Sequence, residues 1–198
     1  MGVEVHKHAG PKNAGYYPLK AQKAAAMKIL KKYYSVSNGK VTNFPEIDYI
    51  VNEGEVHMAI AKYMQARLSA VGIKMNISSF SWEDFQKKLK KGNFTVARFG
   101  WAADVNDANN FLELFTPGNA DNCCRFGKGK HASKSVYTVK LNGIGTYKNL
   151  KGTWKQTYQK LISFIQKEKN EKIRNQLLHK AEDLLMETGC ICPLYYYS

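Results

Sequence analysis

Residues 47–51, Ile47-Asp48-Tyr49-Ile50-Val51, form a short, nearly continuous apolar run that decides the predicted fold. Such a run is typical of a strand covered on both faces, as strands of parallel sheets are. A helical pattern follows at 55–71, an alternating strand pattern at 73–77, a second helix at 81–92 and a third strand at 94–99. The order strand, helix, strand, helix, strand predicts an α/β layer with right-handed crossovers.

Both predicted helices carry apolar residues at helical spacing. In the helix at 55–71, the expected apolar stripe consists of Val56, Ile60, Tyr63, Met64, Leu68 and Val71. In the second helix, Ser81 is placed to cap the N-terminus and Gly92 to end the helix. Its apolar face is expected to contain Trp82, Phe85 and Leu89.

The rest of the chain divides into segments of different character. We predict an irregular segment at 1–18, an Ala/Lys-rich helix at 19–34, a Lys-rich β-hairpin or excursion at 127–152, helices at 153–166 and 171–187, and a final buried strand at 191–197. Glycines bound several of these segments, and glycine commonly ends helices and forms turns.

Composition is that of a globular protein. The 198 residues are 44% hydrophobic and 23% charged, which excludes a wholly disordered chain, a collagen-like repeat and a disulfide-dense mini-protein. The length fits one domain, with or without appendages. No stretch approaches the ~20 apolar residues that cross a bilayer, so we expect no membrane-spanning segment.

The formal net charge of +14 leaves two interpretations open. A basic face could attract nucleic acid or an anionic membrane, or the surface could simply be rich in Lys. Residues 128–160 contain eight Lys and no acidic residue, which keeps a basic nucleic acid-binding module as the alternative function. Only four basic residues are Arg, and direct base readout favours Arg, which weakens this alternative.

The sequence contains no recognisable catalytic or metal-binding motif. The four cysteines, Cys123, Cys124, Cys190 and Cys192, lack C-x-x-C spacing, so reduced thiols are favoured over a disulfide or a metal site. Asp104 and Asp107 do not make an EF-hand loop, because that loop needs more ligands and a downstream Glu. We predict no cofactor, no metal and no enzymatic activity.

The segment Arg98-Phe99-Gly100-Trp101-Ala102-Ala103-Asp104 follows the third predicted strand. Ligands of open α/β sheets bind at the carboxyl ends of the strands. There, an Asp could pair with a ligand ammonium, an Arg with a carboxylate, and a Trp could form an apolar wall. A structural Trp beside a helix-capping Asp is the alternative, and the residues alone do not decide between the two.

Residues 94–104 are similar to the F-x-V-A-R-x-G-W-x-A-D pattern of oligopeptide-binding proteins, the family 5 solute-binding receptors of ABC peptide importers. The segments 55–61 and 72–77 resemble the lobe's first helix and second strand. Near the end, 181–185 and 193–197 resemble the family's A-E-x-x-L and P-L-Y-Y-Y patterns. The segments occur in the family's order, and this ordered set carries the resemblance to its C-terminal lobe.

The resemblance implies a periplasmic-binding-protein-like lobe of α/β class, with a mixed sheet, flanking helices and an inserted β-hairpin. We expect an N-terminal segment and helix at 1–46 and a peptide-binding lobe at 47–198, with the Lys-rich insertion at about 127–152. Family members close two lobes on an extended peptide and catalyse no reaction.

The resemblance also implies the binding residues: His57, Arg98, Trp101, Ala102, Ala103 and Asp104. Asp104 matches the family's carboxylate that holds the peptide α-ammonium. Arg98 and His57 match basic residues that neutralise the peptide carboxylate in some members. Trp101 and the backbone after it line the peptide channel.

For partners and location, the resemblance implies a monomeric receptor in the periplasm or, through a lipoprotein anchor, at the cell surface. It would bind oligopeptides and deliver them to permease subunits, with no nucleic acid partner. Family members are longer, so the chain is expected to be a fragment. Residues 1–8 do not form a secretory signal, and as written the chain would stay in the cytoplasm.

Overall fold

The computed structural model describes residues 22–124 and 135–195. These residues fall into two compact units: an N-terminal unit described over residues 22–100, and a C-terminal unit described over 101–124 and 135–195. The expected irregular segment at 1–18 and the start of the Lys-rich insertion lie outside the described residues.

Over residues 22–100, the N-terminal unit contains three helices and five strands. In chain order these are α1 (Lys23–Leu30), β1 (Val36–Ser37), β2 (Lys40–Val41), β3 (Ile47–Asn52), α2 (Glu55–Ser69), β4 (Met75–Phe80), α3 (Trp82–Lys91) and β5 (Val96–Ala97). The predicted alternation of strands and helices between 47 and 99 is confirmed.

The main sheet has the strand order β4-β3-β5, and both pairings are parallel. Tyr49 of β3 is in register with Ile77 of β4 and Val96 of β5. The third strand is shorter than expected, although amide hydrogen bonds from Thr95 and Arg98 to β3 continue the alignment on both sides of it. Since all three strands run the same way, their carboxyl ends share one edge.

The helices of this unit follow the sequence signals only in part. Ser81 accepts a hydrogen bond from the Asp84 amide at the start of α3, and Gly92 ends this helix with a φ of 71°, as predicted. In α2, Val56 and Tyr63 are 65% and 61% exposed. The expected stripe is therefore wrong at these two positions. The cluster receives fully buried Ala61 and partly buried Met58, Met64 and Leu68 from α2, and Met64 and Leu68 were part of the expected stripe.

The C-terminal unit is mainly helical. It contains α4 (Asn109–Leu112), a 3₁₀ turn (Glu113–Phe115), β6 (Tyr137–Val139), β7 (Leu150–Gly152), α5 (Trp154–Lys167) and α6 (Glu171–Glu187). The strands β6 and β7 pair antiparallel, so the predicted hairpin is present over 137–152. Parallel and antiparallel pairing thus occur in separate sheets of the described chain, and the α/β class is confirmed.

The core of this unit lies between α5, α6 and the hairpin. Trp154 stacks on Tyr158 with ring centroids 4.2 Å apart, and both side chains are fully buried. The hairpin contributes Val139 and Leu141 to the same cluster, while α6 contributes Leu177. The segment 137–152 therefore helps to close a hydrophobic core.

The final strand expected at 191–197 is wrong over its described part. Residues 191–195 form no strand, and both Leu194 and Tyr195 are exposed. Pro193 has no amide hydrogen to donate, which disfavours a place inside a sheet ladder. The apolar composition at the chain's end therefore did not indicate a buried strand.

Candidate functional site

The loop after Gly100 is closed by one buried side chain. The Oδ1 atom of Asn110 accepts hydrogen bonds from the Trp101 indole Nε1 at 2.9 Å and from the Asp104 backbone amide at 3.1 Å. Asn110 is only 8% exposed, and Trp101 packs against the core cluster of the C-terminal unit. One amide group thereby fixes the two residues that the sequence singled out in this loop.

The acid of this loop is directed to solvent. Ala102, Ala103 and Asp104 are all exposed. Within the described residues, the Asp104 carboxylate has no hydrogen-bond or ion-pair partner. The loop thus presents a solvated carboxylate on a backbone that is itself held in place.

A second acid in the same loop has a structural role. Asp107 Oδ1 accepts from the Asn109 amide at 2.8 Å, at the start of α4. Arg174 of α6 donates from Nη2 to both carboxylate oxygens of Asp107 and from Nε to the carbonyl of Ile165 at 3.0 Å. The helix-capping role proposed as the alternative for Asp104 therefore belongs to Asp107.

The surroundings of Asp107 act on its pKa in both directions. Partial burial raises the pKa of this carboxyl, while the Asn109 amide and the Arg174 guanidinium lower it, and the net result is a lowered pKa. The lowered pKa favours the charged carboxylate, which suits an ion pair with α6.

Two buried side-chain donors of α5 hold the helical segment that follows the loop. The Trp154 indole donates to the carbonyl of Phe115 at 3.0 Å, and the Tyr158 hydroxyl donates to the carbonyl of Leu112 at 2.8 Å. Both bonds tie α5 to α4 and to the 3₁₀ turn after it. The loop at 101–115 is consequently attached to two helices of the core.

In the N-terminal unit, basic residues meet at the carboxyl edge of the parallel sheet. Arg98 follows β5 and donates from Nη1 to Oδ1 of Asn52, the last residue of β3, at 2.9 Å. His57 lies in the first turn of α2, directly after β3. This edge is where open α/β sheets bind ligands.

His57 has an incompletely satisfied imidazole. Its Nδ1 atom is buried and has no hydrogen-bond partner among the described residues. Burial lowers the pKa of His57, and the positive charge of Arg98 lowers it further. The two bases are therefore close enough to repel, and a negative group bound between them would relieve that repulsion.

An open depression of about 480 Å³ lies at the N-terminus of α2. Its lining residues are Glu53, Gly54, Glu55, Met58, Ala59, Lys62 and Ser79. Neither His57 nor Arg98 lines it, so the basic pair stands outside this depression.

Sequence reasoning missed two residues that organise these groups, Asn52 and Asn110. Their roles can be recognised only once the ends of the strands and the path of the loop are known. Asn52 ends the first strand directly before a glycine-containing turn, which is the one signal the sequence offered. Asn110 lies in a polar segment where several asparagines and aspartates look equivalent.

Two further kinds of feature are absent from the described residues. In the ranges 22–124 and 135–195, no three His, Cys, Asp or Glu side chains are grouped to hold a metal ion. No helix within these ranges combines the length and the apolar character needed to cross a bilayer.

Residues 3–122 match the family model of bacterial extracellular solute-binding proteins, family 5 Middle, and the chain belongs to this family. The oligopeptide-binding protein OppA of Bacillus subtilis is 25% identical over 185 residues, 93% of this chain and 29% of OppA. The periplasmic oligopeptide-binding protein OppA of Salmonella typhimurium is 26% identical over 154 residues, 76% of this chain and 23% of that protein. The chain thus spans less than a third of each relative.

Solved structures agree on the fold. The murein tripeptide binding protein MppA of Escherichia coli superimposes with a TM-score of 0.71 at 23% identity, over 98% of this chain and 33% of MppA. Haemophilus influenzae OppA in complex with RPPGFSPFR gives a TM-score of 0.60 at 21% identity, over 92% and 30% of the two chains. The periplasmic-binding-protein-like fold expected from the sequence is confirmed. The alternative of a nucleic acid-binding module finds no support in these matches.

Proposed function

We propose that this chain supplies part of the oligopeptide-binding surface of an ABC-importer solute receptor and catalyses no reaction. The family is one of solute-binding proteins, and the relatives compared above are named for oligopeptides and a murein tripeptide. The chain spans under a third of those relatives, so affinity for a whole peptide would belong to a larger assembly than this segment.

The observation that carries the proposal is the exposed Asp104 carboxylate, which has no partner among residues 22–124 and 135–195, on a loop closed by Asn110. A peptide α-ammonium that leaves water needs a fixed negative partner. Because Asn110 holds the Asp104 backbone, binding of the ammonium costs little conformational entropy in this loop. Trp101, held by the same side chain, would cover one side of the first peptide residue.

In the N-terminal unit, Arg98 and His57 would hold a carboxylate of a peptide ligand. Asn52 orients the guanidinium of Arg98, and a guanidinium can hold a carboxylate with two parallel hydrogen bonds. His57 would gain a proton as the carboxylate arrives, because the negative charge raises the imidazole pKa. Contacts to the main-chain groups of an extended peptide would leave its side chains free, which allows many sequences to bind.

We assign partners and location on the same grounds. The receptor would act as a monomer in the periplasm or at the cell surface and pass peptides to permease subunits. The family description names extracellular proteins, and several relatives are named periplasmic. Light scattering on the purified chain tests the monomer directly.

The experiment is an NMR titration of the isotope-labelled chain with trialanine, N-acetyl-trialanine and trialanine amide. We expect weak binding in the millimolar range, because the chain offers only part of a site. Trialanine should shift the Asp104 amide, and N-acetylation should abolish that shift. Amidation of the other end should remove the shifts at Arg98 and His57 while leaving the shift at Asp104.

Matched variants separate the two ends. Asp104→Asn should remove the response to the free amine, whereas Asp121→Asn, an exposed acid of the same unit, should not. Arg98→Gln should remove the response to the free carboxylate, whereas Arg67→Gln should not. An Asp104 amide shift of equal size with trialanine and N-acetyl-trialanine would contradict the proposal. Submicromolar affinity would contradict a partial site.

A further inference from the structure

Cys124 and Cys190 meet in the C-terminal unit although 66 residues separate them. The Cys124 thiol donates to the carbonyl oxygen of Cys190 at 3.8 Å, and it interacts electrostatically with the Cys190 thiol. Cys190 packs against the buried core cluster, and Cys124 is exposed. All four cysteines are present as thiols.

The geometry favours this pair over the other two cysteines. The backbone of Cys190 is fixed just beyond α6, where its amide donates to Oγ1 of Thr188 at 3.2 Å. Cys192 lies two residues further on and is exposed. Cys123 is adjacent to Cys124 in sequence, and vicinal cysteines close only a strained ring.

We propose that Cys124 and Cys190 form a disulfide in the oxidising environment of an extracellular family member. The bond would link the segment after α4 to the segment after α6. Disulfides persist outside the cytosol because no glutathione or thioredoxin pool reduces them there. The proposal does not depend on which solute the protein binds.

The oxidant would be a second disulfide, as in oxidised glutathione. The Cys190 thiolate attacks one sulfur of that disulfide, forming a mixed disulfide and expelling a glutathione thiolate. The Cys124 thiolate then attacks the Cys190 sulfur and expels the second glutathione. The two protein thiols lose two protons and two electrons, and the oxidant's sulfur–sulfur bond takes up both electrons.

The surroundings of the two sulfurs fit this order of attack. A hydrogen bond from the Cys124 thiol lowers the pKa of Cys190 to about 7. The same contact raises the pKa of Cys124. Cys190 therefore carries thiolate near neutral pH and acts as the first nucleophile, since the thiolate is the reactive form.

Incubation of the 198-residue chain with oxidised glutathione, alkylation of remaining thiols and trypsin digestion tests the bond. Trypsin cleaves after Arg98, Arg125 and Lys180, so the linked product joins peptide 99–125 to peptide 181–198. Each peptide contains two cysteines, and single variants therefore assign the bond. We expect linkage in wild type, C123S and C192S, and none in C124S or C190S.

Thermal unfolding gives a second readout that does not involve peptide binding. Closing so long a loop restricts the unfolded chain, and the oxidised form should melt about 10 °C above the reduced form. That difference should vanish in both C124S and C190S, so one variant suffices if the other fails to fold. Linkage that persists in C124S or C190S, or four alkylated thiols in the oxidised wild type, overturns the proposal.

Discussion

Arg174 of α6 holds Asp107 of the candidate loop through both carboxylate oxygens, with Nη2 2.9 Å from Oδ1 and 2.7 Å from Oδ2. The two residues are 67 positions apart in sequence. Since Asp107 also begins α4, the pair connects the loop that carries Asp104 to the longest helix of the C-terminal unit. The position of the proposed ammonium site therefore depends on a contact far away in sequence.

We predict that Asp107→Asn lowers the free energy of unfolding by about 1–3 kcal/mol. The asparagine keeps one oxygen for the Asn109 amide but loses the charge that pairs with Arg174. This predicted loss is smaller than for a fully buried ion pair. The Asp107 and Arg174 side chains are 38% and 25% exposed, so solvent screens their charges. Urea unfolding at pH 7 measures the change.

Glu83→Gln is the matched control for this substitution. It removes the ion pair between Glu83 and Lys87. The Glu83 side chain is 80% exposed. Such pairs contribute about 0–1 kcal/mol, so the loss should be much smaller than for Asp107→Asn. Equal losses in both variants would show that the contact with α6 is worth no more than a surface pair.

We predict that Asn110→Ala leaves the Trp101 indole and the Asp104 amide without their shared acceptor. The loss of a buried acceptor for two donors should lower stability by about 1–3 kcal/mol. Hydrogen exchange of the Trp101 indole N–H and the Asp104 amide should accelerate by at least tenfold in the variant. Substitution of exposed Asn93 should change neither rate, and unchanged exchange in Asn110→Ala would mean that another acceptor holds the loop.

Much of the fold could be predicted because its signals are local. The Ile47–Val51 run predicted a covered strand, and Ser81 and Gly92 predicted both ends of α3. The exposure of Val56 and Tyr63 could not be predicted. Helical spacing places residues on one face of α2, but only the packing against β3 and β4 decides which face is buried.

We predict that the His57 imidazole titrates below its ordinary pKa of 6.5. Burial of the ring is the main cause and the Arg98 charge is the second, so Arg98→Gln should raise the pKa only part of the way. A histidine-specific NMR titration measures both values. Arg67→Gln, which removes an exposed guanidinium stacked on Tyr63 of the same helix, should leave the His57 pKa unchanged.

The sign of the stability effect follows from this lowered pKa. Between the folded pKa and 6.5, the unfolded chain binds a proton at His57 more readily than the folded chain does. The contribution of His57 to the free energy of unfolding is therefore fully present above pH 6.5. It declines as the pH falls from 6.5 to the lower pKa of His57 in the folded chain. His57→Gln should flatten the decline between pH 7 and 5 in urea unfolding, and an unchanged slope would contradict it.

The candidate site could be predicted less fully than the fold, for a physical reason. Arg98, Trp101 and Asp104 were recognisable because strand ends and the sequence pattern mark them. Asn52 and Asn110 act through hydrogen bonds across 46 and 9 positions of sequence. The hydrogen-bond partners of these asparagines are determined by the tertiary fold. The sequence around an asparagine in a polar loop does not indicate which residues will lie beside it.

We predict that Tyr158→Phe destabilises the chain by about 1–3 kcal/mol without disturbing the stack on Trp154. The hydroxyl of Tyr158 is buried and donates to the Leu112 carbonyl at 2.8 Å, so phenylalanine would leave that carbonyl unpaired. The ring contact, with centroids 4.2 Å apart, survives because phenylalanine keeps the ring. Urea unfolding measures the loss, and Tyr33→Phe, at a largely exposed tyrosine, should change stability by less than 0.5 kcal/mol. If the two variants were equally stable, α5 would hold α4 by ring packing alone, and the hydroxyl would contribute nothing to fixing the loop that carries Asp104.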